Sequence, residues 1–143
     1  MQKIYKIIYQ LKSKYKSKIV FDTRLLKEND IFIGLKANNK DGSLYFNEAI
    51  KKKASLIIIN IKTKGPNLYY VKDTNLFIKK FCIHIINSYR GKIIAITGSV
   101  GKTTFKENIY QILNYNNFKS YRSYKNYNNL QGLQFSIMNM KLS

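Results

Sequence analysis

A single cysteine, Cys82, excludes an intrachain disulfide and leaves no thiol pair at metal-ligand spacing, which fits a reducing cytoplasm. Long apolar runs are also missing. Lysines break up every hydrophobic stretch well short of the roughly 20 residues needed to cross a bilayer. The opening segment MQKIYKIIYQLKSKYKSK has helical spacing but no small-residue cleavage site after it, so no signal peptide or membrane span is legible. Arginine is scarce. Arg24, Arg90 and Arg122 are the three among 26 basic residues, against seven acidic ones, for a formal charge of +19. That balance raises the question of a polyanionic partner, yet arginine is the side chain suited to bidentate phosphate and base-edge contacts. The lysines are spread along the whole chain with an excess of Ile, Asn and Tyr, all encoded by A/T-rich codons, so base composition accounts for them without a partner. A basic nucleic-acid-binding module is the competing reading. The 12 tyrosines are scattered rather than gathered on one groove, which argues against a base-stacking surface.

What is present is the material of a packed α/β protein. Hydrophobic residues make up 45% of 143, enough for one ordinary domain or a small domain and part of another. Ile4, Ile7, Ile8 and Leu11 predict an amphipathic helix to about Lys14, followed by an extended KIVFDTR segment and a buried strand DIFIGL. KANNKDGS reads as a loop, and Leu44, Phe46, Ala49 and Ile50 predict a helix over 44–53. SLIIIN reads as a central strand, KTKGPN as a turn and LYYVKD as a further core strand. Asp73 or Thr74 is placed to cap a helix carrying Leu76, Phe77, Lys80, Phe81, His84 and Ile85. Strands alternating with helices imply a mainly parallel sheet. His84 reads as an ordinary helix histidine.

After NSYRGK a second unit begins, with IIAIT as a strand, a helix from Thr103 to about Asn114, FKSYRS as a short strand, an Asn-rich loop YKNYNNLQG and the start of a helix in LQFSIMNM. The junction ITGSVGKTTFKENI is the most informative stretch. A strand entering a glycine turn that opens a helix aims backbone N–H groups and the positive helix end at one spot, where phosphate binds. Gly98 and Gly101 allow the close turn, Lys102 supplies a mobile positive charge for terminal phosphates, and the Thr103 hydroxyl is placed for Mg²⁺. The general G-x-x-x-x-G-K-S/T pattern is not met, because Ile96 stands where its first glycine belongs.

The shorter form TGSVGKTT resembles the ATP-binding loop of the Mur ligases, and the Lys106–Glu107 pair after it is similar to the branch that adds D-alanyl-D-alanine. Four further segments agree in order: VFDTRLLKENDIFIGLKANNKDG, AIKKKASLIIIN, YYVKDT and KNYNNLQG. Departures are Gly34 for the family's usual Ala, Ala37 for Gly, Ser43 for a residue often His, Lys125 for Gly and Gln134 for Pro. The resemblance implies a small amino-terminal Mur-ligase-type α/β domain over 1–88 that binds a UDP-sugar, followed over 89–143 by the beginning of a doubly wound, P-loop-type central domain, incomplete here. It implies an ATP-dependent amide ligase of peptidoglycan precursor synthesis, with UDP-N-acetylmuramoyl-tripeptide and D-alanyl-D-alanine as substrates and ATP and Mg²⁺ as cofactors. The sister ligase that adds the third amino acid is the alternative.

Carried over by position, Gly98, Ser99, Val100, Gly101, Lys102, Thr103 and Thr104 would bind ATP. Lys102 and Thr103 would take the catalytic part, with Thr103 on the metal. Thr23, Arg24, Asp41, Gly42 and Ser43 would line the uridine diphosphate pocket, and Asn126, Asn128 and Asn129 would approach substrate and the phosphate site. Asp22 and Asp41 are equally suited to cap turns. The expectation is a fragment inactive alone, either a truncated product or one piece of a split enzyme whose remainder folds against it as a separate chain. Salt separates the two classes of function: binding to a DNA duplex falls steeply and log-linearly with salt if the chain is a nucleic-acid module. A nucleotide-sugar domain instead shows binding that requires uridine and changes little over the same titration.

Overall fold

The computed structural model describes residues 1–37, 40–123 and 129–140. Helix α1 (Gln2–Tyr15) buries Ile4, Tyr5 and Ile8, one turn apart on one stripe, and ends at Lys16 in the left-handed region (φ 55°). Strands β1 (Ile19–Val20), β2 (Ile31–Ile33), β5 (Leu56–Ile59) and β6 (Leu68–Tyr70) form one sheet in the order β1-β2-β5-β6, with every pairing parallel. The central strands are covered on both faces, as parallel sheets require. Ile31, Phe32, Ile33, Ile57 and Ile58 are fully buried, so their alternation carries no solvent side. Strand β6 is an edge: Leu68 and Tyr69 are half-buried and Tyr70 is exposed, which corrects the reading of LYY as a core strand. An edge position is set by neighbours, and a run of apolar and aromatic residues does not reveal it.

Strand β1 stops early because the Asp22 carboxylate accepts the Arg24 N–H and winds Thr23–Leu25 into a 3-10 turn. The same device acts at Asp41, where the Ser43 N–H donates to Oδ1 at 2.9 Å and Gly42–Tyr45 becomes a 3-10 turn. Helix α2 therefore occupies only Phe46–Lys51, not the whole of 44–53, and Leu44 faces solvent. The stretch expected as a loop holds a two-stranded hairpin, β3 (Lys36–Ala37) with β4 (Lys40–Asp41). Helix α3 (Thr74–Ser88) starts with Asp73 accepting the Leu76 N–H at 2.9 Å. Its Phe77 and Phe81 meet the Tyr5 ring at centroid distances of 5.9 and 4.9 Å, and Tyr9 meets Phe81 at 5.9 Å. Each such pair adds about 0.5–1.5 kcal/mol beyond the area it buries.

The chain divides into two units, Met1–Phe81 and Cys82–Ser143, the division falling inside α3. In the second unit α4 (Lys102–Tyr115) has no buried residue. Helix α5 (Leu130–Asn139) buries Gly132, Ser136 and Met138 and is capped by Asn129, whose side chain accepts the Gly132 N–H at 2.8 Å. Residues 93–97 and 118–123, both expected as strands, have no ladder among the described residues, and Ile93 and Ile94 are 60% and 59% exposed. A strand is a paired object: isoleucine content predicts suitability for a sheet, while the neighbour must come from elsewhere. No helix is long and apolar enough to cross a membrane among the described residues.

Gly34 is a position where only glycine fits. A Cβ there would lie 2.5 Å from both the Cα and N of Ser43 and 2.6 Å from its Oγ, so backbone rather than a movable side-chain tip is in the way. Gly34→Ala is expected to lower stability by about 1–3 kcal/mol in urea denaturation. Gly65→Ala, whose new methyl comes closest to the flexible Leu68 Cδ1 at 2.7 Å and otherwise to side-chain carbons at 3.6 Å, is expected to cost less than about 1 kcal/mol.

Candidate functional site

In a parallel sheet all strands end on the same side, and ligands of open α/β sheets gather outside those carboxyl ends. In the first unit that rim carries Gly34 after β2, Asn60 after β5 and the Asp41–Ser43 turn. Gly34 N–H donates to Ile58 O at 2.9 Å just past the end of β2, and Gly42 N–H donates to Leu35 O at 2.9 Å. The Ser43 hydroxyl is fully buried and donates to Gly34 O at 3.4 Å while accepting the Asn60 N–H at 3.1 Å. Asp41 accepts Ser43 N–H on Oδ1 and the Asn60 side-chain amide on Oδ2 at 3.0 Å. Partial burial pushes the Asp41 carboxyl up, but the hydrogen bonds from Asn60 and Ser43, with the nearby Lys36, outweigh it and hold the group below the usual carboxylate range.

Thr23 and Arg24 sit at the end of β1. The Thr23 hydroxyl is buried and donates to Glu48 Oε2 at 2.8 Å, while Lys52 Nζ donates to Thr23 O at 2.7 Å, tying the strand end to α2. Arg24 lies in solvent and forks onto Asp22, with Nη2–Oδ2 at 2.7 Å and Nε–Oδ1 at 3.0 Å. Asp22 and Asp41 thus both act as turn caps, and the turn-cap reading of these residues describes their geometry.

The second unit holds the glycine turn. Gly98 (φ 149°) and Gly101 (φ 77°) are both in backbone conformations that side-chain-bearing residues rarely adopt, and nothing lies within 4 Å of where a Cβ on Gly101 would be. Conformation, not crowding, selects these glycines. Helix α4 begins at Lys102 with no side-chain cap, so the first N–H groups of the helix have no carbonyl of their own turn to bond. Val100 is 90% exposed, and Ser99, Thr103 and Thr104 are exposed with it. The Lys102 ammonium donates to Gly98 O and to Ser99 O, the latter at 3.2 Å, and so keeps one positive charge folded onto the turn. Exposed orphan amides, a positive helix end and a mobile ammonium together suit an anion such as a nucleotide phosphate, and the free face of the turn leaves room for one.

Behind that turn, Glu107 accepts Arg122 Nε at 2.8 Å on Oε2 and at 3.0 Å on Oε1, and lies 3.7 Å from Lys106 Nζ. Lys106 Nζ also donates to Ser123 O at 2.9 Å, and the Arg122 guanidinium lies 3.9 Å over the Tyr110 ring. The Lys106–Glu107 pair therefore pins the chain at 122–123 to α4. Asn129 is a helix cap, while Asn126 and Asn128 lie outside the described residues. Cys82 is buried, its thiol pushed up to about 11 by burial, which is the environment of an inert cysteine. Among the described residues no group of three or more His, Cys, Asp and Glu is arranged to hold a metal.

A UDP-N-acetylmuramoyl-tripeptide–D-alanyl-D-alanine ligase from Rickettsia prowazekii is 32% identical over 103 residues, which is 70% of this chain and 23% of that protein. A UDP-N-acetylmuramoyl-L-alanyl-D-glutamate–2,6-diaminopimelate ligase from Buchnera aphidicola is 33% identical over 116 residues, 73% of this chain and 23% of that one. The crystal structure of a MurF ligase from Thermotoga maritima in complex with ADP superimposes with a TM-score of 0.69 at 30% identity, over 86% of this chain and 29% of that chain. The chain belongs to the Mur ligase family. No family model matches it.

A MurF from Acinetobacter baumannii shares the fold, with a TM-score of 0.72 at 22% identity. The chain spans about a quarter of the length of the Mur ligase relatives it matches and corresponds to their amino-terminal part. Mur ligases named for two different amino-acid donors match it at similar identity, so membership of the family does not choose between them. Reading by motif did not single out Asn60, Glu48 or Arg122. Each lies far in sequence from its partner, and only the fold brings them together.

The Asp22–Arg24 pair gives a pH signature. The Arg24 side chain and N–H bonded to Asp22 hold its carboxyl below the usual range. What this pair contributes to stability is present above the unfolded-state value of about 3.9 and is lost as pH falls through the lower folded value. Arg24→Gln should return the Asp22 carboxyl toward its ordinary value in an NMR titration; an unchanged titration would show that the fork does not persist in solution.

Proposed function

We propose that this chain is the amino-terminal part of the ligase that adds D-alanyl-D-alanine to UDP-N-acetylmuramoyl-tripeptide, acting in the cytoplasm. Residues 1–88 form its nucleotide-sugar domain and 89–143 the start of its ATP domain. The observation that carries this reading is the 97–104 junction, where two glycines at positive φ precede an uncapped helix start bearing Lys102. The TGSVGKTT form, with Ser99 and Val100, favours the D-alanyl-D-alanine enzyme over its sister.

In this reading the amides of Gly98 to Thr104 and the Lys102 ammonium hold the terminal phosphates of ATP. Lys102 leaves its two loop carbonyls to do so, at small cost because it trades one set of exposed polar contacts for charge-assisted ones. Thr103 would supply a hydroxyl ligand to Mg²⁺, and the ion would there offset the negative charge of the phosphate oxygens. The protein's own task is positioning: it brings an anionic substrate carboxylate up to an anionic phosphate and offsets their repulsion with fixed N–H dipoles and one cation. In the first unit, Thr23, Arg24, Asp41, Gly42 and Ser43 form the uridine diphosphate wall. Arg24 is the exposed cation there, while the Asp41–Ser43 turn offers backbone groups whose conformation is set by Asn60. The remaining part of the central domain and a carboxy-terminal domain complete the enzyme, supplied on the same or a separate chain.

The test is reconstitution. Supplied with the remaining part of a Mur ligase, the chain should release phosphate only when ATP, UDP-N-acetylmuramoyl-tripeptide and D-alanyl-D-alanine are all present. Lys102→Ala should lower that rate by at least about 100-fold. Release that instead requires the dipeptide nucleotide and diaminopimelate would establish the sister ligase, and no gain over the separate parts would count against both.

A further inference from the structure

We propose that Asn60 and Asn75 are positioning residues of the nucleotide-sugar site: two side-chain amides that clamp the Lys36/Asp41 pair of the β3–β4 hairpin to the rim of the parallel sheet. The inference rests on the nucleotide-sugar reading of the first unit and adds to it two residues outside the carried-over set.

The hairpin needs such a clamp. It has two residue pairs, Lys36↔Asp41 and Ala37↔Lys40, and Lys36, Ala37 and Lys40 are exposed. A two-stranded ribbon of that size does not hold its shape in water by itself. The main sheet gives it no rungs, since its last bond on this path is Gly34 N–H to Ile58 O. Asn75, in the first turn of α3, takes the place of a missing strand: its Oδ1 accepts the Lys36 N–H at 3.2 Å and its Nδ2 donates to Lys36 O at 2.8 Å. One primary amide is both donor and acceptor, as a peptide group is, so it satisfies both main-chain groups of one residue.

Asn60 does the matching work on the other strand. Its Nδ2 donates to Asp41 Oδ2 at 3.0 Å, and its main-chain N–H donates to Ser43 Oγ at 3.1 Å. Lys36 and Asp41 are register partners, so the two asparagines grip opposite sides of one hairpin rung. They reach it from the end of β5 and the start of α3, elements whose neighbours Ile59 and Phe77 are buried. The grip fixes the direction in which the Asp41–Gly42–Ser43 backbone faces the rim, which is what a pocket wall must hold before a ligand arrives. Gly34 completes the arrangement by letting the Ser43 backbone come close enough for Asn60 to reach its hydroxyl.

The test uses the full chain with UDP as the probe, read by calorimetry, together with amide hydrogen exchange at Lys36 and NMR titration of Asp41. Asn75→Ala should speed exchange at Lys36, leave Ile57 and Ile58 protected, and weaken UDP binding about three- to tenfold, the equivalent of an ordinary hydrogen bond or slightly more. Asn60→Asp keeps the shape but sets a second carboxylate against Asp41, with Lys36 the cation across the rung and Ser43 the remaining donor. It should weaken UDP binding at neutral pH about tenfold or more. That deficit relative to wild type should shrink as pH falls and the carboxyl pair takes up a proton able to bridge it. Loss of packing alone would not produce this rescue. If Asn75→Ala fails to fold, the Asn60→Asp pH profile decides. UDP affinities within twofold of wild type in the folded variants overturn the proposal, even where Lys36 exchange rises. Should wild type itself fail to bind UDP, the nucleotide-sugar reading falls and the positioning role with it; altered Lys36 exchange and Asp41 titration in the variants would then still show the clamp as part of the fold.

Discussion

Parallel pairing of β2 with β5 is the constraint from which the first unit follows. Two strands that run the same way end side by side, so Gly34 and Asn60 become neighbours although the sequence separates them by a hairpin, a 3-10 turn and a helix. The pairing is enforced by burial: Ile31 to Ile33 and Ile57 to Ile59 have essentially no exposed surface, and a slip of register would trade those contacts for polar ones. Once the two ends are fixed, the intervening chain must turn back over them. The only approach is close, which is why residue 34 carries no side chain and why the Ser43 hydroxyl bridges the two strand ends.

The scarce carboxylates are distributed with the same economy. Asp22, Asp41 and Asp73 cap turns or a helix, Asp30 accepts the Lys18 and Lys27 amides at 2.9 and 3.1 Å, and Glu48 ties Thr23 and Lys52. Glu107 holds Arg122, and Glu28 lies 3.5 Å from Lys53. All seven acids are thus engaged within the fold. The groups left to meet a ligand are ammonium ions and backbone amides, a set suited to holding phosphate rather than to taking up a proton.

Much of this was legible in the sequence where a residue's role is local. A cap at Asp73 or Thr74, the central SLIIIN strand and the helix expected from Thr103 all rest on neighbours within four positions; the structure caps α3 with Asp73, has β5 at Leu56–Ile59 and opens α4 one residue earlier, at Lys102. What could not be read depends on distant partners. Strand β6 proved to be an edge, Ile93 and Ile94 join no ladder among the described residues, and Lys36–Ala37 pairs with Lys40–Asp41 where a loop was expected, with Asn75 bonding both main-chain groups of Lys36. Gly34, met first as a departure from the family's usual alanine, acquires its reason only when Ser43 is seen 2.5 Å from the missing Cβ.

The central claim is that the turn and helix start at 97–104 form a cradle for nucleotide phosphates. Its most direct test is amide chemical-shift mapping of the isotopically labelled chain as ADP and Mg²⁺ are added. The account predicts saturable shifts concentrated at Gly98, Gly101, Lys102 and Thr103 and abolished by Lys102→Ala. Shifts spread over surface lysines with no saturation, or none in this segment, would contradict it.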